Sequence, residues 1–199
     1  MIKRAFDILF SACWLVGFAP LLCVVAVLVR LKLGSPVLFI QERPGLRGRA
    51  FRMVKFRTMT DTRGPDGELL PDEQRLTSFG KFLRSTTLDE FPEMWNVLIG
   101  DMSVVGPRPL LMRYVERYDA FQARRMEVRP GVTGWAQVNG RNSLTWEEKF
   151  ALDVWYVDHR TFWLDMKIVV LTFFKVFART GINAGEGKTM EEFRGGKND

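Results

Sequence analysis

The sequence predicts an α+β protein, mainly helical, with an N-terminal membrane element, a small basic β-hairpin and amphipathic interfacial helices. Three observations carry this. An uncharged run over residues 8–29 is broken by Pro20, two strand-like segments (37–42 and 50–59) flank a turn rich in Gly, Pro and Arg, and much of the remaining apolar pattern repeats at helical spacing. A chain of 199 residues has room for one modest domain plus a membrane element. Its net charge of +6 is spread along the sequence, which points to an anionic partner: phospholipid, nucleotide, lipid phosphate or nucleic acid. Cys13 and Cys23 both fall in the apolar N-terminal stretch, so neither a disulfide framework nor a zinc site is supported. His159 has no second histidine or cysteine with which to share a metal or a nucleophile and reads as a surface residue.

The N-terminal run is too long for a secretory signal peptide and lacks a convincing small-residue cleavage site. Lys3 and Arg4 precede it, Arg30 and Lys32 follow it, and the positive-inside rule draws both ends to the cytoplasm. A helix bent at Pro20 that returns to its side of entry satisfies both ends, while a simple spanning helix is the conventional alternative. On these residues both readings stand. Bending frees a carbonyl ahead of Pro20, for which Ser11 or the segment's own backbone is the nearby donor. Asp7 is expected at the headgroup level of a shallow helix.

Between the two strand candidates, Arg43-Pro-Gly-Leu-Arg-Gly-Arg49 supplies turn residues and three positive charges. Alternation puts Lys55 and Arg57 on one face of the second strand, as a solvated basic edge, a phosphate-binding wall or a surface for anionic headgroups. Residues 60–71 read as an exposed loop without chemistry. A helix over 72–84, with Leu76, Phe79 and Leu83 inward, then delivers Arg84 toward an acidic pair, Asp89-Glu90. Phe91, Met94, Trp95 and Leu98 continue at helical spacing to Gly100. Because Pro92 lacks an N–H it belongs in the first turn, which places Asp89 at or near the N-cap, facing unpaired N–H groups that also suit phosphate. Thr87-Leu-Asp-Glu90 matches a capping box, and acids in a first turn also serve merely to offset the helix dipole.

After Gly106-Pro-Arg-Pro109 a helix carrying Tyr114, Val115, Tyr118 and Phe121 is expected, leading to Arg124-Arg125. The glycine-punctuated segment 129–142 offers Gln137, Asn139, Arg141 and Asn142 as donors, although turn duty alone explains its glycines and asparagines. Thr145-Trp-Glu-Glu148 opens the next helix as a second capping box. Residues 162–177 are dense in large apolar side chains but carry Asp165, Lys167 and Lys175, which suits an interfacial rather than a spanning helix. Gly185-Glu-Gly-Lys-Thr189 fails as a P-loop, since the motif's first glycine falls on Ile182, and no Asp-x-Asp metal motif occurs.

Taken together these pieces resemble one family, the bacterial sugar transferases, also called monotopic polyprenyl-phosphate phosphoglycosyl transferases, in minimal catalytic form. The likeness covers nearly the whole chain. It is carried by the proline-broken N-terminal segment, Gln41-Glu-Arg-Pro-Gly45, Val54-Lys-Phe-Arg-Thr-Met59, the run from Arg84 to Glu90, Gly100-Asp-Met-Ser-Val-Val-Gly-Pro-Arg-Pro109, Arg129-Pro-Gly-Val-Thr-Gly134 and Gln137-Val-Asn-Gly-Arg-Asn142.

The resemblance implies an enzyme that moves a sugar 1-phosphate from a UDP-sugar, commonly an N-acetylated hexose, to undecaprenyl phosphate, releasing UMP. It implies Asp89 as catalytic nucleophile through an aspartyl phosphosugar, Glu90 as its assisting acid, and Mg²⁺ at Asp89. Lys55, Arg84, Arg108 and Arg141 are then aimed at phosphates, with Gln137 a lesser member of the same pocket. It also favours the re-entrant reading, giving a membrane helix over 1–33, a catalytic domain over 34–180 with interfacial helices, and a polar, loosely ordered tail over 181–199. The expected location is the cytoplasmic face of the bacterial inner membrane, against phospholipid and without nucleic acid; no residue assigns the sugar or the oligomeric state. One departure stands out: the residue before the proline, often serine in the family, is Ala19. The competing class is a membrane-anchored basic module that binds lipid or nucleic acid without chemistry, but a purely electrostatic binder has no need of an acidic pair beside a proline.

Overall fold

The computed structural model describes residues 1–140, 144–177 and 192–195. The chain opens with two helices, α1 (Ile2–Gly17) and α2 (Ala19–Leu33), that meet at Phe18 with a bend of 63°. The break lies ahead of Pro20 rather than on it. Proline occupies the first turn of α2, where its missing N–H has no partner to lose. The N–H groups at the end of α1 return to the carbonyls of Trp14 and Val16, so the segment's own backbone satisfies the freed carbonyl. Ser11 instead donates to Asp7 O at 2.6 Å. Among the described residues no single helix is long and apolar enough to cross a membrane.

One stripe of α1 (Phe6, Phe10, Trp14, Leu15) packs on the main core, and another (Ile2, Leu9, Val16) is exposed. The basic residues ahead of the apolar run are committed to the fold. Lys3 pairs with Asp165 at 2.6 Å, and Arg4 donates to the carbonyls of Val97 and Leu98 at 2.6 and 2.8 Å. Asp7 is buried, accepting from Ser103 Oγ and Val104 N, both at 3.0 Å, which corrects the expectation of a headgroup-level carboxylate.

The hairpin forms as expected. Strands β1 (Leu38–Pro44) and β2 (Ala50–Phe56) pair antiparallel, with Phe39 opposite Lys55 and Gln41 opposite Met53. The expected helix over 72–84 is two: α3 (Asp72–Arg75) ends where Leu76 turns extended, and Thr77 caps α4 (Ser78–Ser85) by accepting from Gly80 N at 3.1 Å. Gly80 has to be glycine, because a Cβ there would lie 1.9 Å from the carbonyl oxygen of Thr58.

After α5 (Glu93–Ile99), Gly100 stops the helix with φ +99°. Strand β3 (Ser103–Val105) pairs in parallel with β4 (Gly131–Thr133), and the backbones at this crossing are so close that a Cβ on Gly131 would lie 2.0 Å from Gly106 N. Between these strands the expected helix around Tyr114 is a 3₁₀ segment, Met112–Arg117, followed by the single turn α6 (Ala120–Ala123) and a further 3₁₀ turn, Arg124–Glu127. The loop 129–142 holds a short helix, α7 (Trp135–Asn139). Helices α8 (Trp146–His159) and α9 (Phe162–Phe177) complete the fold, and the capping box at Thr145 and Glu148 forms in both directions.

The main core joins Phe51 and Met53 of β2, Met94 and Val97 of α5, β3, Tyr156 of α8 and Ile168 of α9. Each buried apolar side chain there contributes about 1.5–3 kcal/mol. A second cluster joins Val25, Val29 and Leu33 of α2 to Phe56 and Leu83. In the third, Phe193 packs among Tyr114, Phe150, Tyr118 and Trp146. Residues 192–195 therefore differ from the loosely ordered tail expected over 181–199: Phe193 is 3% exposed and Arg117 bonds its carbonyl.

Candidate active site

The acidic pair sits in a 3₁₀ turn, Leu88–Glu90, closed by Glu90 N to Thr87 O at 3.2 Å and Phe91 N to Leu88 O at 3.3 Å. Asp89 is therefore not the N-cap of α5; that position is Pro92. Nor does the capping box expected at Thr87 form. Thr87 has a left-handed backbone, φ +59°, and its side chain accepts nothing from the turn. What presents the acids is tertiary. Asn96, buried on α5, accepts Val54 N at 3.0 Å and donates to Arg52 O at 2.8 Å, which fastens α5 along β2 and sets Lys55 opposite the turn.

Lys55 Nζ lies 2.8 Å from Glu90 Oε1 and 3.0 Å from Glu93 Oε1, which itself makes no aligned hydrogen bond. Arg108 reaches both Glu90 oxygens with its guanidinium fork, Nη1 at 3.1 Å and Nη2 closer. Lys55 is thus an inward residue, not a solvated edge.

These groups line an open cavity of about 630 Å³. Asp89 and Glu90 share its wall with Lys55, Arg57, Arg84, Arg108 and Gln137, so every described residue expected at the site lines it. Arg141 lies outside the described residues. Arg84 is steadied by Thr58 Oγ1 at 3.0 Å, and Gln137 spends its amide N–H on Val132 O at 2.9 Å. The wall also includes Arg43, Arg75, Arg125, Lys149, Asp153 and Lys175, none of them expected at the site, and Asp61, expected in a loop without chemistry. Asp61 pairs there with Arg57. A sequence signal existed for Lys149 and Asp153, four residues apart and so on one helical face; Arg125 carried none beyond its charge.

Asp89 is 8% exposed and, among the described residues, its carboxylate accepts no hydrogen bond and forms no ion pair. Burial, and then the charge of Glu90, raise it to about 6 against the pull of Lys55, Arg84 and Arg108. For Glu90 burial opposes ionisation, but Arg108 and Lys55 win and hold it well below the ordinary carboxylate range. Burial and the Glu90 charge raise Glu93 to about 7. The site thus keeps one carboxylate firmly ionised and locked between cations, beside a second that is buried, uncommitted and open to the cavity. Such a carboxylate can attack an electrophile or join a metal ion. Among the described residues no cage of three or more ligating side chains exists. One carboxylate plus ligand phosphates is nevertheless a normal magnesium donor set, and Asp89 fits it.

Residues 1–179 match the bacterial sugar transferase family. An uncharacterized sugar transferase, EpsL, of Bacillus subtilis (strain 168) is 52% identical over 195 residues, 98% of this chain and 96% of that protein. A UDP-glucose:undecaprenyl-phosphate glucose-1-phosphate transferase of Klebsiella pneumoniae is 40% identical over 185 residues, 88% of this chain but 40% of that protein. A UDP-N-acetylgalactosamine-undecaprenyl-phosphate N-acetylgalactosaminephosphotransferase of Aeromonas hydrophila is 38% identical over 179 residues, 86% of this chain and 42% of that protein. The chain thus spans almost all of the Bacillus relative and about two-fifths of these two relatives named for an activity.

Proposed function

The chain belongs to the bacterial sugar transferase family, and from that membership we propose that it transfers a sugar 1-phosphate from a UDP-sugar to undecaprenyl phosphate, yielding the diphosphate-linked lipid sugar and UMP. The observation that carries this reading is the Asp89 carboxylate, buried yet unpaired among the described residues, in a cavity walled by Lys55, Arg57, Arg84 and Arg108. Cations on that wall suit the diphosphate of the donor and the phosphate of the acceptor.

In the first half-reaction an Asp89 oxygen bonds to the sugar-bearing phosphorus while that phosphorus parts from the bridging oxygen, which leaves with UMP. In the second, an oxygen of the lipid phosphate bonds to the same phosphorus and the Asp89 carboxylate leaves. Splitting one displacement into two suits a carboxylate, whose acyl phosphate is itself a good leaving group. Glu90 holds Lys55 and Arg108 beside the reacting phosphate. Magnesium bound by Asp89 and the diphosphate would supply charge neutralisation at the phosphoryl oxygens.

We place the enzyme on the cytoplasmic face of the bacterial inner membrane, opening glycan assembly. Support comes from the bent α1–α2 pair and the apolar side chains exposed on α2 (Val24, Val27, Leu31) and α9 (Trp163, Phe174), which suit phospholipid. The donor class is a UDP-hexose; the family resemblance favours an N-acetylated one, and the relatives' names include both glucose and N-acetylgalactosamine. The deciding experiment gives the purified chain undecaprenyl phosphate, Mg²⁺ and a panel of UDP-sugars and measures UMP. Release with one donor, lost in Asp89→Asn, is expected. Full release by that variant removes Asp89 as nucleophile.

A further inference from the structure

Arg125 and Asp153 form an ion pair in which each residue is less than 5% exposed, 28 positions apart and outside the acidic turn. Arg125 Nε and Nη2 donate to Asp153 Oδ2 at 3.1 and 2.6 Å, and Nη1 donates to Tyr118 Oη at 3.2 Å. The guanidinium carbon also faces the Tyr118 and Phe150 rings at 5.9 and 5.6 Å. Burying such a pair contributes little net stability over an apolar replacement, so its presence calls for another role. The structure supplies one: Nη2 donates as well to the main-chain carbonyl of Arg108, at 2.7 Å.

Arg108 lies between Pro107 and Pro109, whose rings fix φ on both sides and offer no N–H to anchor the loop. What anchors it is carbonyl acceptance, Pro107 O from Gly131 N at 3.0 Å and Arg108 O from Arg125. With the backbone held at these two points, the Arg108 side chain projects onto Glu90, next in sequence to Asp89. We propose that Arg125, oriented by Asp153 of α8, is a positioning residue that sets the Arg108 guanidinium on Glu90, and so shapes the phosphate-binding wall beside Asp89. The inference rests on the transfer reaction proposed above. Displacing a catalytic-site group by about 1 Å costs on the order of 100-fold in rate, which makes a backbone anchor of this kind consequential.

The experiment is a double-mutant cycle read by UMP release, with thermal unfolding of each variant recorded alongside. Asp153→Asn is expected to lower kcat/KM by about tenfold or more with Arg108 present, and by less than about twofold when combined with Arg108→Lys, because the two act on one element. Arg125→Lys keeps the charge pair with Asp153 but lacks the second arm for the Arg108 carbonyl. It is expected to unfold within a few degrees of the parent and to lose activity as Asp153→Asn does, and it carries the test if Asp153→Asn does not fold. Equal losses in both Arg108 backgrounds would mean that Asp153 touches substrate itself, and would overturn the proposal. So would full activity in Arg125→Lys. Absence of UMP release from the unsubstituted chain with every donor overturns the reaction, and this inference with it.

Discussion

The side-chain oxygen of Asn96 accepts the backbone N–H of Val54 at 3.0 Å, from a residue that is 1% exposed. Its amide nitrogen gives a bond back to Arg52 O, so one side chain serves two main-chain groups of a strand edge that, among the described residues, has no further strand beside it. Asn96→Ala removes the partner of both main-chain groups, which are half-buried at Val54 and exposed at Arg52, a loss of about 1–3 kcal/mol. Denaturant unfolding measures it. Asn96→Asp keeps the acceptor and loses the donor, and is expected to fall between the parent and the alanine variant.

Asp89 carries a stability consequence of its chemistry. Its raised value, about 6, means that between the ordinary carboxylate range and pH 6 the folded state holds a proton that the unfolded state has released. Stability therefore falls as pH rises through that window, and above pH 6 the ionised carboxylate destabilises the fold by roughly 3 kcal/mol at most. Asp89→Asn should be the more stable protein at pH 7.5 and nearly equal to the parent at pH 4, while releasing no UMP. Thermal unfolding of both proteins across that range checks the sign; a gap that shrinks with rising pH would contradict it.

Lys55 neutralises two acids at once, and the two respond differently to its loss. Glu90 keeps Arg108, but among the described residues Glu93 has only Lys55 within ion-pair distance. Because Glu93 stands near pH 7, it answers removal of the lysine by holding its proton below that pH and is left as an unpaired buried charge above it. Lys55→Met is expected to destabilise by about 3 kcal/mol at pH 8.5 and by clearly less at pH 5.5. Equal losses at the two values would show that Glu93 is not the group responsible.

What the sequence made legible was local. Thr145 and Glu148 cap α8 as their spacing implied, the Gly- and Pro-rich turn produced the β1–β2 hairpin, and Gly100 ended α5. The same logic failed at Thr87, where an identical capping pattern meets a left-handed backbone, and at residues 72–84, where Leu76 extends and Thr77 starts a new helix. Local patterns record what a segment can do alone, and tertiary contacts chose otherwise. The cations and acids of the cavity wall were partly visible because Lys55, Arg84, Asp89 and Arg108 fall in motifs. The supports behind them were not. Asn96 acts across 42 positions and Arg125 across 28, and the β3–β4 pairing uses two three-residue strands too short to carry a period.

The start of α1 is tied through Lys3 to Asp165 of α9 and through Arg4 to the end of α5, while the end of α2 packs on Phe56 and Leu83 and is joined to β1 by the short link 34–37. Both ends of the pair are thus fastened to one folded body, and its first helix, at 16 residues, is about 24 Å long, short of a hydrocarbon core near 30 Å. Crossing the bilayer would require breaking one of these attachments. Single cysteines placed at the exposed positions Ile2 and Leu38, with Cys13 and Cys23 changed to serine, are expected to react with an impermeant maleimide from the same side of sealed inverted vesicles. Labelling from opposite sides would establish a spanning helix. Pro20→Leu, which removes the first-turn proline of α2, should leave that sidedness unchanged, because the tethers at Lys3 and Arg4 hold the ends independently of the bend.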